Sequence, residues 1–280
     1  MHFGLNLPNG GPAADPRSLA ELAALAEASG WEGVFLEDYL VYQNKTGTPT
    51  YDPWVSLAAM AMRTERIRLG TTVTPVARRR VAKLAAETVA LDHVSGGRLT
   101  LGVGLGDQWD VSLAAFGDAR DLATRARIVD ESLEALVGLW TGEPFSYEGQ
   151  FVKISEVTLA PRPLQQPRIP IWIGGQYPNA GPIRRAARWD GSCLFKAAEY
   201  SADKIVQAEW TADDIRNLRA QIGPRRDLTV GGRARAEDWE ADRALAQSLA
   251  DAGATWWIEW IPPADDDTMR QAIARGPLRS

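Results

Sequence analysis

Short apolar runs alternate along the chain with stretches whose apolar residues recur at three- and four-residue spacing, the pattern of βαβ units around a parallel sheet. The first run covers 3–7. Asp15-Pro16 then supplies a helix cap and a first-turn proline, Leu19, Leu22, Ala23 and Ala26 form one apolar face, and Gly30 closes the helix. A second run lies at 33–36. Asp52-Pro53 repeats the cap, with Trp54, Leu57, Ala58 and Ala61 on one face, before a third run at 67–73 and a helix over 81–94. The fourth run, 99–103, is entered through Ser95-Gly96-Gly97-Arg98, and the helix after it carries Ile128, Val129, Leu133, Leu136, Val137 and Trp140 on one side.

Residues 142–168 break this rhythm. Glu148-Gly149 predicts a short hairpin, and prolines at 161, 163, 167 and 170 favour an extended path, so the segment reads as an insertion between strands four and five. Further runs at 171–173, 191–195, 228–230 and 255–259 alternate with helical stretches near 180–188, 207–221, 237–252 and 265–274. Eight units predict a closed (β/α)8 TIM barrel, α/β in class, occupying 1–280 as one domain. An open doubly wound sheet is the competing arrangement, but it announces itself with GxGxxG after the first strand. Here Gly102, Gly104 and Gly106 follow the fourth strand, and Asp107 stands where the last glycine would be.

Composition narrows the function. The 280 residues are 45% hydrophobic and 24% charged, as in an ordinary soluble chain, and 31 basic against 36 acidic residues give a net charge of −5. No basic run exceeds Arg78-Arg79-Arg80, so nucleic acid is not an expected partner. One cysteine, Cys193, excludes a disulfide framework, and two histidines, His2 and His93, cannot build a multi-histidine zinc centre. Asp265-Asp266-Asp267 reads as the acidic first turn of the last helix rather than a metal site. Without a leader-like segment or an apolar run near 20 residues, a cytoplasmic location and no membrane contact are expected.

A barrel works at the carboxyl ends of its strands, which directs attention to Asn6, Glu37-Asp38-Tyr39, Thr72-Val73-Thr74, Gly104-Leu105-Gly106-Asp107, Gly174-Gly175-Gln176 and Glu259-Trp260. Gly174-Gly175 before a helix can cradle a phosphate or simply make a tight turn. The glycines after strand four can let a flat ring lie against the backbone, or serve close packing. Glu37 and Asp38, adjacent carboxylates at a strand end, are candidates for proton transfer, and surface carboxylates are the plainer alternative. Lys196 sits where Schiff-base lysines of barrel lyases sit, and a solvated lysine is the ordinary reading. Trp109 and Trp260, unlike the other nine tryptophans, follow strand ends and could wall a pocket.

These residues carry a resemblance. RIRLGTTVTP at 66–75, ETVALDHVSGGRLTLGVGLGD at 87–107, FG at 116–117, LVGLW at 136–140, PFSYEGQFV at 144–152, PRPLQQPRIPIWIGG at 161–175 and AARWDG at 186–191 together resemble the bacterial luciferase-like oxidoreductases. The resemblance implies a barrel that binds FMN or the deazaflavin coenzyme F420 and acts by hydride transfer or, with reduced FMN, by monooxygenation. It implies that Thr72, Val73 and Thr74 lie beside the ring, with a non-proline cis peptide there, and that Gly104, Leu105 and Gly106 border it. Asn6 joins the cofactor contacts, Gly174, Gly175 and Gln176 bind phosphate, and 142–168 becomes a loop over the substrate mouth.

Many members carry an acid-histidine pair after strand two, whereas this chain has Asp38-Tyr39, and His93 ends a helix on the far side of the barrel. Proton handling then falls to Glu37, Asp38, Tyr39, Tyr42 or Glu259. Tyr39, Tyr42, Trp109 and Trp260 suggest an aromatic mouth suited to an apolar group. A homodimer and a separate flavin reductase or F420-reducing system are the implied partners. The alternatives are a lyase using Lys196 and a barrel that binds cofactor without catalysis, the latter prompted by Tyr39.

Overall fold

The computed structural model describes residues 1–201, 205–231, 234–236 and 238–279. Caps set its first units as their residues dictate. Asp15 accepts from the Arg17 and Ser18 amides to start α1 (Pro16–Ala28), and Asp52 accepts from Trp54 and Val55 to start α2 (Pro53–Arg63). Each helix buries its apolar stripe against the strands on either side: β1 (His2–Leu7), β2 (Gly33–Leu36) and β3 (Arg68–Thr71). After a two-residue strand β4 (Thr74–Pro75) come α3 (Val81–Val94), β5 (Leu99–Gly104), α4 (Val111–Ala115) and α5 (Leu122–Leu139). A hairpin, β6 (Phe145–Glu148) and β7 (Lys153–Val157), precedes β8 (Ile171–Tyr177), α6 (Ala180–Ala186), β9 (Gly191–Tyr200) and β10 (Ile205–Gln207). The chain ends with α7 (Ala212–Ile222), β11 (Asp227–Gly231), α8 (Trp239–Asp251), β12 (Trp256–Trp260) and α9 (Asp266–Ala274).

Eight of these strands pair in parallel in the order β1-β2-β3-β5-β8-β9-β11-β12, and β12 returns to β1 with Leu5 opposite Glu259, which closes the barrel. Strand alternation divides its residues into two cores. The larger lies between strands and helices; the smaller, inside the barrel, joins Phe35, Trp172, Trp256 and Ile258, with Cys193 against them. The three rings stand 5.2, 5.5 and 5.9 Å apart by centroid, so the interior is plugged rather than open. Glycines face them: a Cβ on Gly33 would fall 2.8 Å from Phe35, and one on Gly191 would fall 2.6 Å from Trp172.

Several boundaries differ from the sequence reading. Strand three ends at Thr71, and the Thr72–Val73 peptide is cis. Strand five continues to Tyr177, so Gly174, Gly175 and Gln176 lie inside it, registered against Cys193, Leu194 and Phe195, rather than in a turn after it. Strand six runs to Tyr200 and folds back antiparallel on β10, and the helix expected from 207 starts at Ala212. Residue 237, expected to open α8, lies outside the described residues.

The hairpin at 145–157 forms as expected but does not cover the mouth. Glu131 of α5 accepts from the amides of Gln150, Phe151 and Val152, and Tyr147 donates to Glu134. Three backbone donors on one carboxylate fix the insertion to the outer face of a helix.

Tight strand crossings make some barrel glycines irreplaceable. A Cβ on Gly102 would fall 1.9 Å from the Thr71 carbonyl oxygen, a backbone atom that cannot step aside, whereas one on Gly181 would meet nothing within 4 Å. Gly102→Ala is therefore expected to cost at least about 1–3 kcal/mol in denaturant unfolding, and Gly181→Ala to stay within about 0.5 kcal/mol of the parent.

Candidate active site at the barrel mouth

Above the aromatic plug, the next positions of the same strand alternation are Asn6, Glu37, Thr72, Gly104 and Gly174, polar or without side chains, and the indole of Trp260. Glu37 is the group with perturbed chemistry. Burial pushes its carboxyl up to about 7 from an ordinary 4.5, against the opposing pull of the Tyr42 hydroxyl and the Trp260 indole N–H. Tyr42 donates to Glu37 Oε2 at 2.8 Å and is 2% exposed. Trp260 Nε1 is buried and closes no hydrogen bond of normal geometry, which leaves a donor beside the carboxyl. Tyr39 packs edge-on to Tyr42 with centroids 5.4 Å apart. Burial first, then the charges of Glu37 and Asp107, raise the Tyr39 phenol, so it stays protonated at neutral pH. The buried amide of Asn9 holds this loop by donating to the carbonyls of Tyr39 and Tyr51.

Asp38, expected to share proton handling with Glu37, does other work. Its side chain has no exposure and ion-pairs with Arg78 at 2.9 Å and Arg79 at 2.8 Å, while Arg78 also reaches Asp110 at 3.0 Å. The geometry makes it an anchor between the loop after β2 and the turn after β4. Removing one member would strand a buried charge.

From the strands on either side of β2, the Thr72 hydroxyl donates to Asn6 Oδ1 at 2.9 Å. The Val73 methyls occupy the space where Cβ atoms of Gly104 and Gly174 would stand, at 2.6 and 2.5 Å, so three strand ends make one flush wall. Thr74 is fully buried and donates to the Thr71 hydroxyl, which places its side chain behind that wall. Of the two readings of the strand-four glycines, the packing one is visible at Gly104, whose missing side chain makes room for Val73. Beyond Ile173 the recorded pairing of β8 with β5 ends, which leaves Gly174–Tyr177 paired on the β9 side alone.

Trp109 is 42% exposed on the rim. Asn44, at φ +62, donates to the Trp109 carbonyl at 3.1 Å and accepts from the Val111 amide at 3.0 Å. Tyr200, carried past the barrel by the long β9, donates to Asp107 Oδ1 at 2.6 Å. Lys196 is drawn away from the mouth: it bonds Asp214 at 2.5 Å and the Glu209 carbonyl at 3.0 Å, on the α7 side. Glu259 faces outward too, locked to Arg235 at 2.9 Å, and His93 contacts the Arg162 carbonyl from the end of α3. Among the described residues no cluster of metal-binding side chains occurs, and no helix is long and apolar enough to cross a membrane.

Sequence reasoning passed over Asn44, Tyr200 and Arg125. Arg125 is fully buried under the loop after β5, where Nη1 donates to three successive carbonyls. An arginine inside an apolar helix face was the available signal.

The Glu37 shift has a stability consequence. Its folded pKa lies above its unfolded one, so the folded state holds the proton more tightly, and stability falls as pH rises from about 4.5 to about 7. Glu37→Gln is expected to flatten that slope, worth at most about 3 kcal/mol, when unfolding free energies of both proteins are compared across the window.

The profile of the luciferase-like monooxygenase family matches residues 1–276. The F420-dependent glucose-6-phosphate dehydrogenase of Nakamurella multipartita is 35% identical over 170 residues, 59% of this chain and 48% of that one. The oxygenase component of the flavin-dependent trigonelline monooxygenase of Acinetobacter baylyi is 29% identical over 162 residues, 58% of this chain and 44% of its own length. The matched stretch thus spans about half the length of each of these relatives. In architecture, the coenzyme F420 dependent tetrahydromethanopterin reductase of Methanopyrus kandleri superposes with a TM-score of 0.74 at 18% identity, covering 98% of this chain and 97% of that one. A closed parallel barrel and a family match over nearly all of its length establish that this chain belongs to the luciferase-like monooxygenase family.

Proposed function

We propose that the chain is a two-electron oxidoreductase that binds a flavin or deazaflavin, FMN or coenzyme F420, across the barrel mouth, and that Glu37 carries the proton that accompanies hydride exchange with a small organic substrate. The observation that carries this reading is a carboxyl held near pH 7 by burial, between a phenol and an indole, at a strand end. By their own names, one of the two relatives depends on F420 and the other on a flavin.

The residues fit a planar heterocycle. Val73, seated in the Cβ spaces of Gly104 and Gly174, leaves a wall without protruding side chains, and Asn6 and Thr72 offer polar atoms at its edge. The one-sided backbone of Gly174, Gly175 and Gln176 would take the phosphate-bearing tail. When bound, the coenzyme supplies a ring carbon or nitrogen that accepts or donates a hydride. Glu37 would take the hydroxyl proton of a substrate being oxidised, or return it in the opposite direction, so that two electrons and one proton move as hydride and one proton moves to the carboxylate. Tyr42 holds that carboxylate in place with the Trp260 indole N–H beside it, and Tyr39 and Tyr200 would exclude water with aromatic surface. Reduced FMN with oxygen is the second reading, favoured by the similarity to an oxygenase component, and it would require a separate reductase.

Fluorescence titration is expected to show micromolar binding of F420 or of FMN; binding of neither removes the proposal. Glu37→Gln should leave that affinity within about twofold while lowering kcat by about 10²–10⁴, and the wild-type kcat/KM profile should show an ionisation near 7 that the variant lacks.

A further inference from the structure

The buried guanidinium of Arg125 has no carboxylate partner among the described residues. Its Nη1 donates to the carbonyls of Leu105, Gly106 and Asp107 at 2.9, 3.1 and 3.3 Å, and its buried Nε and Nη2 meet no partner. Three successive carbonyls converging on one cation fix the orientation of three peptides. In a trans peptide the N–H opposes the C=O, so the amides of Gly106, Asp107 and Gln108 point the other way. On that side the Gln108 amide meets the Tyr200 phenol oxygen, which itself donates to Asp107. The Gly106 and Asp107 amides have no acceptor among the described residues. Gly106, at φ +81, allows the turn that aligns them, with Pro75 and Arg125 both packed where its Cβ would stand.

Aligned amides of this kind form an anion-binding concavity, and a cation at their carbonyl ends polarises them further. Resting on the coenzyme reading above, we infer that Arg125 is a positioning residue that holds the Gly106 and Asp107 amides toward the coenzyme ring and makes the mouth bind its negatively charged reduced form in preference to the oxidised form. Gly104–Gly106 then do more than border a flat ring: they carry the charge of a buried arginine to its edge through the backbone. Preorganised donors aimed at developing charge favour the state that carries it.

The test compares dissociation constants for oxidised and reduced F420 and FMN, titrated anaerobically, in the wild type, Arg125→Met and Arg125→Lys. Arg125→Met is expected to weaken the reduced form at least tenfold more than the oxidised one, equivalent to lowering the two-electron midpoint potential of the bound coenzyme by about 30 mV per tenfold. Arg125→Lys, which keeps the charge, should recover most of the difference. Equal weakening of both forms in Arg125→Met, or none, would reduce Arg125 to a packing residue and overturn the inference. Should Arg125→Met fail to fold, Gly106→Ala displaces the same peptides without emptying the core, since its Cβ would stand 3.1 Å from Pro75 and 3.4 Å from Arg125 Nη1. The same selective loss is expected there, and an equal loss overturns the inference. A wild type that binds neither coenzyme removes the functional reading and this inference together, an outcome distinct from binding without selectivity.

Discussion

Everything at the mouth stands on the filling of the barrel below it. Phe35, Trp172 and Trp256 occupy the axis, and glycines on the facing strands leave the room that their rings need. Close packing of this kind has no slack, because a single added methyl would meet a ring or a backbone carbonyl. The plug gives the mouth a dry floor. That low-polarity floor is one physical reason why Glu37, one position beyond Phe35 on the inward face, holds its proton so strongly.

Around that floor, buried cations are handled in three ways. Arg78 and Arg79 share Asp38, with Asp110 completing the set; Arg235 pairs with Glu259 and lies 4.6 Å from the Trp239 ring centroid; Arg125 has backbone carbonyls alone. The first two arrangements neutralise charge and fasten loops or the last strand. The third satisfies the charge through peptide dipoles, with the carboxylates of Asp107, Asp110 and Asp121 acting on it through space rather than by direct pairing.

Much of this was legible in the chain. Asp-Pro caps, strand runs and the spacing of apolar faces gave the barrel, because each is a local preference that packing reinforces. Strand ends pointed to Glu37, Tyr42 and Trp260, which do come together. Local patterns could not show which carboxylate had a partner: Asp38 meets Arg78 across 40 positions, and only the folded chain reveals that its charge is already spent. Gly174 and Gly175 read as a turn because glycine is rare within strands, yet here their missing side chains accommodate Val73 and Pro182. The insertion was misplaced for a similar reason. Proline spacing describes an extended path but not the surface it lies on, and that surface was decided by Glu131.

The two clamps on the rim end on the same short stretch. Asn44 reaches Trp109 and Val111, and Tyr200 reaches Asp107, so loops from the second and sixth barrel strands are moored to the segment after the fourth. The supports of Glu37 belong elsewhere, to Asn9, Tyr42 and Trp260. Lengthening or shortening the chain between 112 and 121, past Asp110 and its bond to Arg78, would therefore redraw the perimeter of the opening while Glu37 kept its surroundings. A barrel organised in this way can change the shape of what it admits independently of the reaction it performs, which makes diversification of substrates a matter of loop length more than of chemistry.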